Sequence, residues 1–512
     1  MLVHNFLENS AIHFRNKIAL VSGEQRITYH DLDDVSNNLA RFLIDIGIKR
    51  QERIIICLEN SIEAVISIFG VLKAGAVFVI VNPNIKAPKL SHILNDSGAT
   101  ALIAGNKKRE DLSKVTTKER SKLNLLWVND FAQDESEQEL NIVSHQWIDA
   151  VTCRSNCALP RTIDVDLATI IYTSGSTGEP KGVVSAHYNI VNVSRSISSV
   201  LGNTKNDVIL NMLPLSFDYG LYQIIMAASF GGTVVLEKSF TFPYSVLKKI
   251  EQEKVTGIPI VPTIAALLLQ FDLSKLKLGS LRYITNTADA LPIAHTKKLQ
   301  SVLPHVKIYS MYGLTECKRV SYLPPEYLTS KPTSVGIPIP NEEVFVVDED
   351  GHEVETGKVG ELVVRGINVM QGYWNCPEET ARTFRPGRYR GETLLYSGDL
   401  FKRDEDGFLY FIGRKEYMIK SKGERISPKE IENIICSLEN VIEAAVIGVA
   451  DNLLGQAIKA FIVSKNNSLN KEDVLRYCKE KLEPVLLPKY IEFVSFLPKS
   501  SSGKIDKKRL KN

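Results

Sequence analysis

Short apolar runs alternate with helix-like segments along the first 160 or so residues. RIIICLE, AVFVIV, TALIAG and LLWVN are strand-like, and AVISIFGVLKAG and KLSHILNDSGA lie between them as helices. A second series begins near residue 168, where ATIIYT, VILNML, GTVVLE, VTGIPIV and LRYITN are separated by stretches such as SVLKKIEQE. Alternation of this kind predicts parallel sheets covered by helices. The expected fold class is therefore α/β, with doubly wound αβ layers in one large region.

Between about residues 335 and 413 the texture changes. EVFVVDEDGHEV, GELVVRG and GFLYFIGR are strands joined by Asp-Gly and Gly turns, the pattern of antiparallel hairpins in a small β-barrel-like region. After Arg414 come a strand, a loop, an amphipathic helix and another strand, ending in the polar stretch LPKSSSGKIDKKRLKN. The expected division is a core over 1–413, a connection over 414–417 and a small α+β domain over 418–512.

Composition narrows the function classes. At 512 residues the chain can bury a sizeable core, and 44% apolar with 24% charged residues is ordinary for a globular protein. With 62 Lys and Arg against 59 Asp and Glu, no long basic block and no acidic tail, nothing calls for nucleic acid or a charged membrane surface. AVISIFGVLKAGAVFVIV, residues 64 to 81, carries Lys73 at its centre and reads as a buried helix running into a buried strand, not a span. The amino terminus has no secretory pattern, so a cytoplasmic protein is expected. Of seven cysteines only Cys153 and Cys157 lie close together, with no second pair or histidine at zinc-ligand spacing.

IIYTSGSTGEPKGVV, residues 170 to 184, follows a strand with a loop rich in glycine and hydroxyl side chains. Backbone N–H groups and hydroxyls in such a loop can converge on phosphate oxygens. The Walker pattern needs G-x-x-x-x-G-K-[ST], whereas Lys181 here follows Pro180 and precedes Gly182. Taken alone, the stretch is either a phosphate cradle outside the Walker class or a mobile linker.

YTSGSTGEPKG resembles the phosphate-binding loop of the adenylate-forming superfamily, which includes acyl-CoA synthetases, luciferases and nonribosomal-peptide adenylation domains. MYGLTE at 311–316, GELVVRG at 360–366, YSGDL at 396–400, GFLYFIGRKEYMIKSKGERISPKEIE at 407–432 and SSGKIDKKRL at 501–510 resemble its further motifs, in order. The resemblance covers nearly the whole chain. It implies an enzyme that joins a carboxylate to the α-phosphate of ATP, releases pyrophosphate and passes the acyl group to a thiol. Its cofactors would be ATP and Mg²⁺.

The resemblance also implies roles. Thr173, Ser174, Gly175, Ser176, Thr177, Gly178 and Lys181 would hold the β- and γ-phosphates. Thr315 and Glu316 would serve phosphate and metal, Glu316 being a hard oxygen ligand suited to Mg²⁺. Tyr312 would stack on adenine, and Asp399, supported by Arg414, would accept from the ribose hydroxyls. Lys504 would bridge substrate carboxylate and α-phosphate. Glu416 would be the hinge of a mobile C-terminal lid, whose Lys422 and Gly423 would turn inward for thioester formation.

In amino-acid-activating members, the aspartate of an F-D motif pairs with the substrate ammonium, and Asp218 of PLSFDYGLY matches it. A buried carboxylate costs several kcal/mol unless a cation meets it. Motif spacing places Tyr219, Tyr222, Pro259, Ile284, Asn286, Met311, Arg319 and Val320 around the substrate side chain. SFDYGLYQ and YGLTECKRVSYLPP resemble stand-alone prolyl-adenylating enzymes, which load L-proline onto a separate carrier protein for pyrrole and cyclic-imine alkaloid pathways. Since the chain ends soon after Lys504, the phosphopantetheine thiol is expected in trans. D-alanine loading, a carboxylic acid:CoA ligase and a non-enzymatic binding protein are the other readings.

Overall fold

The computed structural model describes residues 1–115, 123–128, 143–174, 180–421, 424–451, 454–465, 469–499 and 505–510. Gly175, Ser176, Thr177, Gly178, Lys422, Gly423 and Lys504 lie outside the described residues.

Two large sheets form the core, as the alternating pattern predicts. The first runs, strand by strand, Val143–Gln146, Asn124–Val128, Ala101–Gly105, Arg53–Cys57, Val77–Ile80, Leu167–Ser174 and Pro180–Ala186; all pairs are parallel except the last. The second contains a parallel run of Lys307–Tyr312, Tyr283–Asn286, Gly257–Ile260, Val208–Asn211, Thr233–Leu236 and Ile18–Ser22, with antiparallel strands at both edges. Successive side chains of a strand point to opposite faces, and both faces are apolar here. Ile54 and Ile56 enter the cluster between the sheets, whereas Ile55 and Cys57 pack outward with Leu90, Ile93 and Leu94 of the helix Ala87–Ser97.

The central layer between the sheets holds the helices Tyr29–Asp45, Ile62–Lys73, His187–Leu201 and Asp218–Phe230, whose apolar residues join both sheets into one cluster. Residues 64 to 81 contain most of the buried helix Ile62–Lys73 and the strand Val77–Ile80. Lys73 is accommodated because Asp33 meets its ammonium at 2.6 Å and Asn37 accepts at 2.8 Å. No helix among the described residues is long and apolar enough to cross a membrane.

The hairpin region forms a five-stranded antiparallel sheet, with Thr393–Arg403 pairing with Gly360–Gly366, Phe384–Pro386 and Leu409–Arg414. The sheet changes between Arg414 and Ile419. Beyond that point Ile419–Ser421, Glu424–Ile426, Val441–Asp451, Gly455–Ser464 and Tyr490–Phe493 form a separate sheet with the helices Pro428–Ser437 and Lys471–Lys481. Lys429 reaches from this unit to Asp289 of the core at 2.9 Å.

Candidate active site

The hairpin of Leu167–Ser174 and Pro180–Ala186 sets Thr173 opposite Lys181. Its second strand accepts a further segment, since Gln371 donates to the Val184 carbonyl at 2.9 Å and Trp374 to the Gly182 carbonyl at 2.7 Å. That segment delivers Tyr373, whose hydroxyl donates to Glu316 Oε1 at 2.7 Å. Lys181 Nζ lies over the same ring, 6.0 Å from its centre, and pairs with Glu379 at 2.9 Å. Tyr373 thus ties the lysine that ends the glycine-rich loop to Glu316. Burial and the adjoining Glu316 carboxylate push the Tyr373 phenol up, so it remains a donor.

Tyr312 ends the strand Lys307–Tyr312, and a tight turn follows. Lys318 N–H donates to the Leu314 carbonyl at 2.6 Å, and Val320 N–H returns to the Tyr312 carbonyl at 2.9 Å. Gly313 is required here, because a Cβ at that position would lie 2.0 Å from the Lys318 carbonyl oxygen. Tyr312 packs edge-on against Phe401 at 4.8 Å, and its hydroxyl donates to Asp399 Oδ2 at 2.6 Å. Arg414 Nε approaches Asp399 Oδ1 at 3.4 Å and its Nη1 lies 3.8 Å from Glu416, so one guanidinium touches both the expected ribose ligand and the expected hinge.

Beside the turn lies a cavity walled by Phe217, Asp218, Tyr219, Tyr222, Thr315, Lys318 and Arg319 among others. Asp218 opens the helix Asp218–Phe230, where a carboxylate suits the positive end of the helix dipole. Tyr219 is anchored by its hydroxyl, 2.8 Å from the Thr285 carbonyl and 2.6 Å from Thr285 Oγ1, and burial raises its pKa to about 12. The Arg319 guanidinium stacks 5.0 Å above the Tyr219 ring. Burial lowers the pKa of both Lys318 and Arg319, with Asp218 opposing the shift at Lys318 and Tyr219 opposing it most at Arg319.

Two observations bear on the expected pocket. Ile284, Asn286, Met311, Val320 and Pro259 are buried but do not line this cavity. Ile284, Met311 and Val320 belong to three different apolar clusters, and Asn286 donates to the Asp289 carbonyl. Secondly, the carboxylate of Asp218 already has a cation near it, Lys318 Nζ at 3.7 Å. Lys318 and Tyr373, which the structure sets beside Asp218 and Glu316, are not among the residues expected from sequence. The unusual Cys-Lys-Arg after Glu316 was the available signal for the first, and Tyr373 offered none.

Residues 7–374 match the AMP-binding enzyme family, and residues 430–504 match the AMP-binding enzyme C-terminal domain. The long-chain-fatty-acid–CoA ligase of Yersinia pestis is 30% identical across 99% of this chain and 93% of its own length. Tyrocidine synthase 1 of Brevibacillus parabrevis is 29% identical over 99% of this chain, which spans 44% of that protein. Among solved structures, the anthranilate CoA ligase in complex with anthranoyl-AMP superposes with a TM-score of 0.89 at 27% identity, covering 100% of this chain and 96% of its own. The chain belongs to the AMP-binding enzyme family, and it is an ATP-dependent, adenylate-forming acid–thiol ligase.

Magnesium is the usual cofactor of such enzymes, and the donor chemistry here fits it. Glu316 offers a half-buried hard carboxylate, with one oxygen fixed by Tyr373, beside the hairpin that carries Lys181. Glu316 would hold the ion, which when bound neutralises phosphate charge.

Proposed function

We propose that the acid activated is an α-amino acid, L-proline foremost, and that the acceptor is the phosphopantetheine thiol of a separate carrier protein. The observation that carries this reading is the carboxylate of Asp218 set in the cavity wall beside Lys318 and Arg319. A long aliphatic chain filling that cavity would leave the Asp218 carboxylate without a hydrogen-bond donor from the substrate, at a cost of several kcal/mol. A compact ring bearing an ammonium group supplies Asp218 with a charge-assisted donor and leaves its methylenes against Tyr219 and Tyr222.

In this reading Asp399, Tyr312 and Arg414 take the nucleoside of ATP, while Thr173, Ser174, Gly175, Ser176, Thr177, Gly178 and Lys181 hold the departing pyrophosphate. Thr315 and Glu316 sit where the phosphates and the substrate carboxylate meet. Lys504 comes in on the C-terminal unit to offset the negative charge of that encounter, and Glu416 is the hinge for its movement. A carboxylate oxygen attacks the α-phosphorus, the bond to pyrophosphate breaks, and the thiol then displaces AMP.

The names of the relatives favour a second reading, a carboxylic acid:CoA ligase. Carboxylate-dependent ATP–pyrophosphate exchange across the proteinogenic amino acids, D-alanine, and simple fatty and aryl acids separates the two. Exchange with L-proline above all others is the expected result. Exchange driven only by the fatty or aryl acids would replace this reading with the CoA-ligase one.

A further inference from the structure

We propose that Lys318 is a substrate-binding residue, and that Asp218 and Lys318 together form a two-charge receptor for a zwitterionic α-amino acid. The Asp218 carboxylate takes the substrate ammonium, and the Lys318 ammonium takes one oxygen of the substrate carboxylate. The inference rests on the amino-acid reading above and deepens it.

The geometry at Lys318 sets it apart from the other buried lysines. Lys73 closes on Asp33 to 2.6 Å and Lys108 on Asp111 to 2.7 Å, so each has a true hydrogen bond. The Lys318 side chain is only 4% exposed, yet its Nζ stops 3.7 Å from Asp218 and has no hydrogen-bond partner. An internal counter-ion for Asp218 would be expected to close that gap, because a buried ammonium with unmet donors is costly. The backbone contributes to this placement. Lys318 has φ 67°, the left-handed region that a residue with a side chain enters at a cost, in the turn compressed against Gly313.

Two neighbouring groups share the deficiency. The Tyr222 hydroxyl, on the ring that lies 5.6 Å from Lys318 Nζ, and Arg319 Nε are also buried without hydrogen-bond partners. All three residues line the same cavity. Its wall is therefore short of acceptors, and an incoming carboxylate supplies two oxygens. Asp218, alone among these lining groups, is purely an acceptor, and it matches the substrate's one cation. Ammonium and carboxylate are adjacent on an α-amino acid, as their counterparts are across the cavity. Activation converts the carboxylate into a neutral acyl group, so the contribution of Lys318 falls on binding the free acid more than on the step itself.

The test is exchange kinetics on the full chain with the most active amino acid of the panel, comparing wild type, Lys318→Met, Lys318→Arg and Asp218→Asn/Lys318→Met. Lys318→Met is expected to raise KM for the amino acid between about tenfold and a hundredfold, the worth of a hydrogen bond to a charged group. KM for ATP should hold, and kcat should change far less than KM. Lys318→Arg should recover part of the loss. The corresponding amino alcohol, which keeps the amine and lacks the carboxylate, should inhibit wild type and Lys318→Met equally. The double variant removes the Asp218 and Lys318 charges together and leaves Arg319 as in wild type; it should fold and lose discrimination between the amino acid and the acid that lacks its amine. An unchanged KM in Lys318→Met, an equal loss of affinity for the amino alcohol, or failure of the amino alcohol to inhibit wild type overturns the inference. Wild-type exchange with amine-free acids alone would instead overturn the amino-acid reading on which it rests.

Discussion

Acid should destabilise the fold through two buried histidines at the amino-terminal helix His4–His13 as pH falls below 6.5. Val3 N–H donates to His187 Nδ1 at 3.1 Å, and the His4 ring meets His187 edge-on at 5.7 Å. Both rings are buried. Burial, with Lys73 adding to it, lowers His4 from the usual 6.5 to about 4; burial, with His4 adding to it, lowers His187 to about 3. Each is neutral in the folded chain and protonates more readily in the unfolded one. Between the two values the unfolded state binds more protons, so stability is full above pH 6.5 and falls as pH falls toward the folded values. The slope is about 1.4 kcal/mol per pH unit per histidine, or about 2 kcal/mol each by pH 5. Urea unfolding between pH 5 and 8 measures it. Replacement by His187→Asn keeps an acceptor for Val3 N–H and should flatten the slope by about 1.4 kcal/mol per pH unit between pH 6 and 5. Parallel slopes for wild type and variant would refute the assignment of that acid sensitivity to His187.

Three further outcomes follow from the site geometry. Asp399→Asn removes the charge that meets Tyr312 at 2.6 Å and Arg414 at 3.4 Å, and should raise KM for ATP about tenfold with KM for the acid unchanged; saturation kinetics in each substrate separates the two. Gly313→Ala forces its new Cβ against the Lys318 carbonyl and should destabilise the fold by about 1–3 kcal/mol, read as a lower urea midpoint. Tyr373→Phe frees Glu316 Oε1 and should raise the magnesium concentration for half-maximal exchange several-fold, with an unchanged unfolding midpoint showing that the fold is intact.

The layered core was legible because its signal is local. Strands such as Arg53–Cys57 are apolar on every residue, and they are buried on both faces in the parallel sheet. Lys73 likewise argued against a membrane span within its own segment. Tyr312, Asp399 and Arg414, which the resemblance assigns to the nucleoside, lie in three separated motifs that the fold brings into contact. Motif spacing does not determine which way a strand residue faces. Ile284 and Met311 point into apolar clusters, because neighbouring strand positions alternate between opposite faces and motif distance does not carry that parity.

The cavity beside Asp218 shows why substrate is harder to read than reaction class. Asp218 alone suggested that a cation must come from outside, and the structure supplies one from the turn a hundred residues later. A filled ion pair would have removed the argument for an amino acid. The 3.7 Å gap and the unmet donors of Lys318, Arg319 and Tyr222 restore it in a different form, because the cavity then lacks acceptors as well as a donor for Asp218. A fatty acid supplies the acceptors only. An α-amino acid supplies both from adjacent atoms, so the charge arrangement that first weakened the assignment becomes its most specific support.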